Sequence, residues 1–437
     1  MARSQLTRRE ALALTALAAI RRGFGQPKPE ITLRISEVNA EIGPNHIIRT
    51  LAYNGTVPGP LLRMTEGAEV SIDVVNETRQ PEMLHWHGFH IPPNVDGAHE
   101  EGTPMVQGND HRIYTFTPGP VGTRWYHTHA MAGHNLKKGG YTGQFGMVVI
   151  EPKSSPARYD LEIPIVLHEW EPFFSSDMAM DVEYKLFSIN GKMLGAAEPI
   201  RVKQGQRVLF RVLNASATMQ HQLSLSGHKL SIVALDGNAV TTPRSVSMLD
   251  LAPGERADCI VEMNFPGAWI FGELNDKQRT GGLGIVVEYA NAKGKPRWIA
   301  PAASVWDYSI FGKAAEQTNA EFTIPIVIEP RSDGNLWAIN GKSYPNTDSL
   351  QAKKGVRNRL VFDNRSDMSH PVHLHRHTFE LTKLNGKPMG GVFKDVVVVP
   401  AHTKVEADFL ADQPGPSLFH CHQQFHMDFG FMALLRY

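Results

Sequence analysis

Cysteine is nearly absent from this chain: 437 residues carry two, Cys259 and Cys421, so no disulfide framework can be built from them. Net charge is absent as well, with Lys+Arg and Asp+Glu at 44 each, and this argues against a nucleic-acid partner recognised through bulk charge. Long apolar runs are missing. The one short run, Ala11 to Ile20, follows Thr7-Arg8-Arg9; it is too brief to span a bilayer and has the charged start of an export signal, with paired arginines suggesting the twin-arginine route. A periplasmic or secreted protein with no membrane span after signal removal is the expectation. Neither a Gly-rich phosphate loop nor a dinucleotide fingerprint occurs.

Sustained helical periodicity is hard to find. Instead, apolar residues recur at every second position in Val70-Ser-Ile-Asp-Val74, Val208-Leu-Phe-Arg-Val212 and Leu360-Val-Phe362, and 38 Gly and 29 Pro punctuate the intervals, as many short strands joined by turns require. An internal repeat runs through the chain. Asn54-Gly55, Asn190-Gly191 and Asn340-Gly341 each lead to a glycine (Gly67, Gly205, Gly355), a strand and an asparagine (Asn76, Asn214, Asn364). Three copies imply three like domains. Downstream, Trp125-Tyr-His-Thr-His129, Trp269-Ile-Phe-Gly272 and Leu418-Phe-His-Cys-His422 stand at matching places, and only the first and third carry histidines. The expected division is a signal over 1–27, domains over 28–152 and 157–292, and a third over 297–437, with the middle one a spacer or wall.

Histidine is what the chain has in quantity at chosen places. Four His-X-His pairs occur: His85/His87, His127/His129, His373/His375 and His420/His422. In a strand each pair shares one face, roughly 6.5–7 Å apart along the backbone, a reach suited to adjacent metals. Eight imidazoles exceed any one four-coordinate zinc. His85 follows Asn76 by nine residues and His373 follows Asn364 by nine, so a cluster between the first and third domains is expected. Cys421 lies between His420 and His422 and points to the other strand face. With His370 and His426 it makes a His₂Cys set, the donor set that favours a blue-copper centre. Cys259, in Arg256-Ala-Asp-Cys-Ile-Val, reads as a small buried apolar residue. His90, His99, His134, His168, His221, His228 and His377 read as hydrogen-bonded or surface residues, and Met178, Met180, Asp181 and Glu183 as a scattered loop.

These motifs, in this order and over nearly all the chain after the signal, resemble those of the multicopper oxidases, specifically the three-domain laccase-like members. The resemblance implies an all-β chain of three cupredoxin-like Greek-key β-sandwiches and four coppers. It implies a type 1 copper on His370, Cys421 and His426, a type 2 copper on His85 and His373, and a type 3 pair on His87, His127, His129, His375, His420 and His422. O₂ and a small-molecule electron donor are the implied partners, with His426 at the protein surface to receive the electron. Asp96, in Asn94-Val-Asp-Gly97, matches an acidic residue that supplies protons in relatives.

Three departures from the family pattern stand out. The axial candidate ten residues after Cys421 is Phe431, with Met432 beside it. Met427 follows the last histidine where some relatives have Glu. Arg376 replaces a glycine and is expected to crowd or charge the cluster's surroundings. The implied activity is one-electron oxidation of phenols or aromatic amines coupled to reduction of O₂ to water. The alternatives are a metallo-oxidase acting on Cu(I) or Fe(II) and an exported copper-free structural protein of the same fold; four His-X-His pairs disfavour a nitrite reductase.

Overall fold

The computed structural model describes residues 29–437 apart from 155–158, 176–180, 293, 315–318, 333 and 335. The expected export segment and Met178 and Met180 therefore lie outside the described residues. Among the described residues no helix is long and apolar enough to cross a membrane.

Strands form because apolar residues alternate. Val70–Asn76 buries every second side chain against the first core, and its neighbours Ile31–Gly43 and Asp110–Phe116 complete that face. Among the described residues six sheets result, two in each of three successive sandwiches: four and four strands within 31–151, six and five within 161–289, seven and five within 322–436. These are three cupredoxin domains.

The repeated Asn-Gly is a turn, as both residues must adopt positive φ in the tight hairpin. Asn54, Asn190 and Asn340 have φ of 52°, 51° and 52°. The later asparagine ties loops together. Asn76, Asn214 and Asn364 are buried, and their side-chain amides donate to backbone carbonyls: Asn76 to Gln80 and Val106, Asn214 to Met219 and Leu251, Asn364 to Met368, Val399 and Pro400.

The middle domain keeps the third domain's strand register with other chemistry. Val372 pairs with Cys421 and His370 with Val399; correspondingly, Leu223 pairs with Glu273 and His221 with Leu251. Glu273 thus stands where Cys421 stands, and His221 where His370 stands. His221 is fully buried, with Nδ1 3.1 Å from Glu273 and Nε2 on Glu169, so carboxylates rather than a metal hold this imidazole. Burial opposes its charge, but the two carboxylates win and raise its pKa to about 9.

A group held higher in the folded state stabilises fully below its unfolded pKa of about 6.5 and loses that effect as pH rises through the folded value. The stability advantage of the wild type over His221→Gln should therefore shrink by about 3 kcal/mol between pH 6 and pH 10. Denaturant unfolding at the two pH values checks this.

Candidate metal centres

The strand Ser417–Cys421 pairs with His370–Leu374 and with Met432–Arg436, and its alternation presents two ligand sets to opposite sides. On one side, Cys421 Sγ lies 3.4 Å from His426 Nδ1 and 3.7 Å from His370 Nδ1, and the two ring nitrogens are 3.1 Å apart. On the other side His375 Nε2 and His420 Nε2 are 3.0 Å apart, and His422 Nε2 is 3.3 Å from His87 Nδ1. The antiparallel strands Leu84–His87 and Gly122–Thr128 bring in the first domain's ligands, with His85 opposite His127. His129 joins His375 and His420, while His85 meets His373 and His375.

The ring nitrogens fit metal binding. Nδ1 of His85, His127, His373 and His420 each faces a backbone carbonyl, those of Asp96, Thr128, Asp395 and Cys421, at 2.7–2.9 Å. That contact fixes the proton on Nδ1 and leaves Nε2 as a bare donor. Nε2 of His85, His127, His129 and His373 is buried with no partner among the described residues, as is Nδ1 of His422. Such orphans are costly unless something fills them. Burial first, then neighbouring imidazoles, holds His87, His127, His373, His375 and His420 neutral, the state a ligand needs. The His₂Cys set suits copper, and burial alone pushes the Cys421 thiol up, so a metal is what would make it a thiolate.

Two glycines permit close approach. At Gly97, with φ of +100°, a Cβ would sit 1.9 Å from the Leu84 carbonyl; at Gly254 one would sit 2.7 Å from the His422 ring. Gly97 lets Asp96 lie against the strand that carries His85. Asp96 is fully buried, and its Oδ2 is 2.9 Å from His375 Nδ1 and 3.1 Å from His85 Nδ1.

Glu101 escaped the sequence reading because Glu100-Glu101 looks like an exposed turn. It is buried, and its Oε1 lies 3.3 Å from His375 Nδ1. Burial, then the charge of Asp96, raises its pKa well above the carboxylate range.

Two expectations are corrected. His426 is 2% exposed, not at the surface. Its helix, Gln424–Asp428, is covered by the first domain: the amides of Ala132 and Gly133 donate to Asp428, and that of Gly140 to Gln424. Trp337 stands 4.5 Å from the His426 ring and 4.4 Å from that of His370.

Arg376 does not crowd the cluster, although its charge does reach the surroundings, opposing the burial that pushes the Glu101 carboxyl up. At φ of 63° its backbone takes the glycine-like conformation, and its guanidinium runs to the carbonyls of Ile91, Pro414 and Pro416 and the Ser417 hydroxyl, clamping the first domain to the third.

Phe431 is buried with its ring 5.0 Å from His370, whereas Met432 packs into a separate apolar cluster with Ala98, Leu418 and Met427. A phenyl ring cannot coordinate. Phe431→Met should therefore lower the redox potential of a copper held by His370, Cys421 and His426, and Met432→Leu should change it little, as read by redox titration.

A copper-binding, three-cupredoxin chain is the class that this fold and these ligand sets define. Three family matches, each described as multicopper oxidase, cover residues 34–155, 167–289 and 319–437. The chain is 29% identical over 439 residues to the multicopper oxidase MmcO of Mycobacterium tuberculosis, covering 90% of this chain and 84% of that protein. It is 25% identical to Laccase-1 of Thanatephorus cucumeris, covering 92% and 89%. Among solved structures, a multi-copper oxidase from Pseudomonas thermotolerans superposes with a TM-score of 0.74 at 23% identity, over 94% of this chain and all of that one. Fet3p, described as a multicopper oxidase that functions in iron import, gives 0.79 at 18%, over 93% and 90%. The chain belongs to the three-domain multicopper oxidases, oxidoreductases that use O₂.

Proposed function

We propose that the chain oxidises phenolic or aromatic-amine donors one electron at a time and passes the electrons through the Cys421 strand to a cluster that reduces O₂ to water. In this reading His370, Cys421 and His426 hold a type 1 copper; His85 and His373 hold a type 2 copper; His87, His127, His129, His375, His420 and His422 hold a type 3 pair. Four coppers would supply four one-electron stores, matching the four electrons that O₂ takes. The observation that carries the reading is the placement of two ligand sets back to back on Ser417–Cys421. Asp96 would serve proton delivery, because its carboxylate touches two of the cluster imidazoles while remaining fully buried.

Organic donors are favoured over metal ions by what surrounds His426. Asp428 is occupied by two backbone amides and the Gln424 side chain, and Met427 is buried in an apolar cluster, so neither is free to hold a cation. The helix is flanked by rings instead: His134 lies 4.6 Å from Phe429, and Phe174 lies 5.6 Å from Phe425. His134 and Phe174 also line a groove of about 900 Å³ between the first and second domains, whose acids Glu37 and Glu171 are paired with Arg49 and Lys185. A neutral aromatic ring suits that lining.

Steady-state O₂ consumption with a phenol, an aromatic diamine, Fe(II) and Cu(I) side by side tests the donor class. Higher kcat/KM for the phenol and the diamine is expected; higher values for either metal ion would replace this reading with the metallo-oxidase one. Export by the twin-arginine route to the periplasm or medium is part of the proposal, supported by Arg8-Arg9 ahead of the Ala11 to Ile20 run. Cell fractionation of wild type and an Arg8→Lys/Arg9→Lys variant checks it.

A further inference from the structure

The middle domain contributes no imidazole to the cluster, yet it reaches one. Among the eight cluster histidines His87 is held differently. Its Nδ1 faces His422, so its proton belongs on Nε2, and Nε2 lies 3.1 Å from Asp395 Oδ1, 308 residues away. The other contacts that set tautomers in the cluster are largely to backbone carbonyls. This one is to a side chain that could turn.

Asp395 is held still from the middle domain. Arg256 donates to its two oxygens from Nη1 at 2.6 Å and Nη2 at 2.7 Å, a bidentate pair. Its remaining donors are used as well, with Nη1 on the Gly254 carbonyl at 3.0 Å and Nε on that of Thr123 at 3.3 Å. Both partners are fully buried, and without this guanidinium the carboxylate would keep only the longer ion pair to Arg124 of the first domain, whose Nη1 is 3.6 Å from Oδ2. Gly254, two residues before Arg256, lies directly against the ring of His422. One turn of the middle domain thus bears on both imidazoles that approach each other at 3.3 Å.

We infer that Arg256 is a positioning residue for the type 3 pair, acting through Asp395 to fix the tautomer and ring orientation of His87. The middle domain is then a working part of the cluster and not a spacer. Without Arg256 the Asp395 side chain turns to other donors, the His87 Nε2 proton loses its fixed acceptor, and the ring is free to present the wrong nitrogen to the metal. Losing an outer partner of a metal ligand lowers metal affinity by about 10–100-fold.

The inference rests on the ligand partition proposed above, and the experiment separates the two. Purified holoenzyme is compared as wild type, Arg256→Gln, Arg256→Lys, Asp395→Asn and Lys394→Met. The last is a control for structural damage: Lys394 is a buried cation of the same junction, 2.9 Å from Asp236 and 3.0 Å from Glu255, whose ammonium is paired elsewhere than Asp395. The readouts are copper per chain, the fraction of copper visible by electron paramagnetic resonance, the visible band of the Cys421 site and the thermal midpoint.

In Arg256→Gln and Asp395→Asn the type 3 pair should lose copper or its magnetic coupling while the visible band persists, because the amide of Asp395→Asn sets an NH₂ against one of the two Arg256 donors and has a single oxygen left for Arg256 and His87. Arg256→Lys should restore part of the coupling. Lys394→Met should lower the thermal midpoint and leave the coupling intact. Full copper and intact coupling in Arg256→Gln or, if that variant does not fold, in Asp395→Asn would overturn the inference. So would equal loss of coupling in Lys394→Met. Absence of a coupled pair in the wild type would instead overturn the ligand partition itself.

Discussion

Replacing Cys421 by serine should remove the visible absorption, take one copper from the chain and bring oxidase turnover down to background while the histidine cluster keeps its metal. Cys421 Sγ is the sulfur donor that His370 and His426 face, and a serine hydroxyl is a harder and weaker ligand that gives no thiolate-to-copper transition. The backbone around it has no reason to move. The Cys421 amide still donates to Phe431 and the Cys421 carbonyl still accepts from His420 Nδ1, so the cluster side of the strand is preserved. Metal analysis with absorption spectroscopy reads this out. Loss of all copper would mean that the two ligand sets assemble as one unit.

Asp96→Asn is expected to slow the return of electrons to O₂ by about 10²–10⁴-fold, the range over which a positioned proton donor acts, with little change in how fast a donor reduces the type 1 site. The amide has the carboxylate's shape and can still accept from His375 at the 2.9 Å contact, but it cannot pass a proton on. Only the O₂ half of the cycle consumes protons. Stopped-flow measurement of each half-reaction separates them. Equal slowing of both would assign Asp96 to holding His85 and His375 in place. Glu101, beside the same imidazole, is the residue expected to limit the damage, so Asp96→Asn/Glu101→Gln should be slower than either single change.

How much of this was legible beforehand follows from the distances in sequence involved. The Asn-Gly turns, the alternating strands and the ligand pairs are local patterns of two to ten residues, and strand geometry converts them directly into faces. The opposition of Cys421 to its flanking histidines was legible for that reason. Burial of His426 was not, because it depends on amides of Ala132, Gly133 and Gly140 folding back from another domain. The Arg256–Asp395–His87 chain joins three domains, and nothing local marks an arginine at a strand start as the holder of an acid 139 residues on. Arg376 looked disruptive as a substitution for glycine, since only the fold reveals four acceptors waiting for its guanidinium.

The most direct test of the central claim, two copper centres joined by one strand and filled by an organic donor, is an anaerobic titration of the fully loaded protein with a phenol. Uptake of four electrons per chain, followed by complete reoxidation with O₂ and no release of hydrogen peroxide, is the result predicted. Uptake of one electron with no further reaction on admitting O₂ would contradict it.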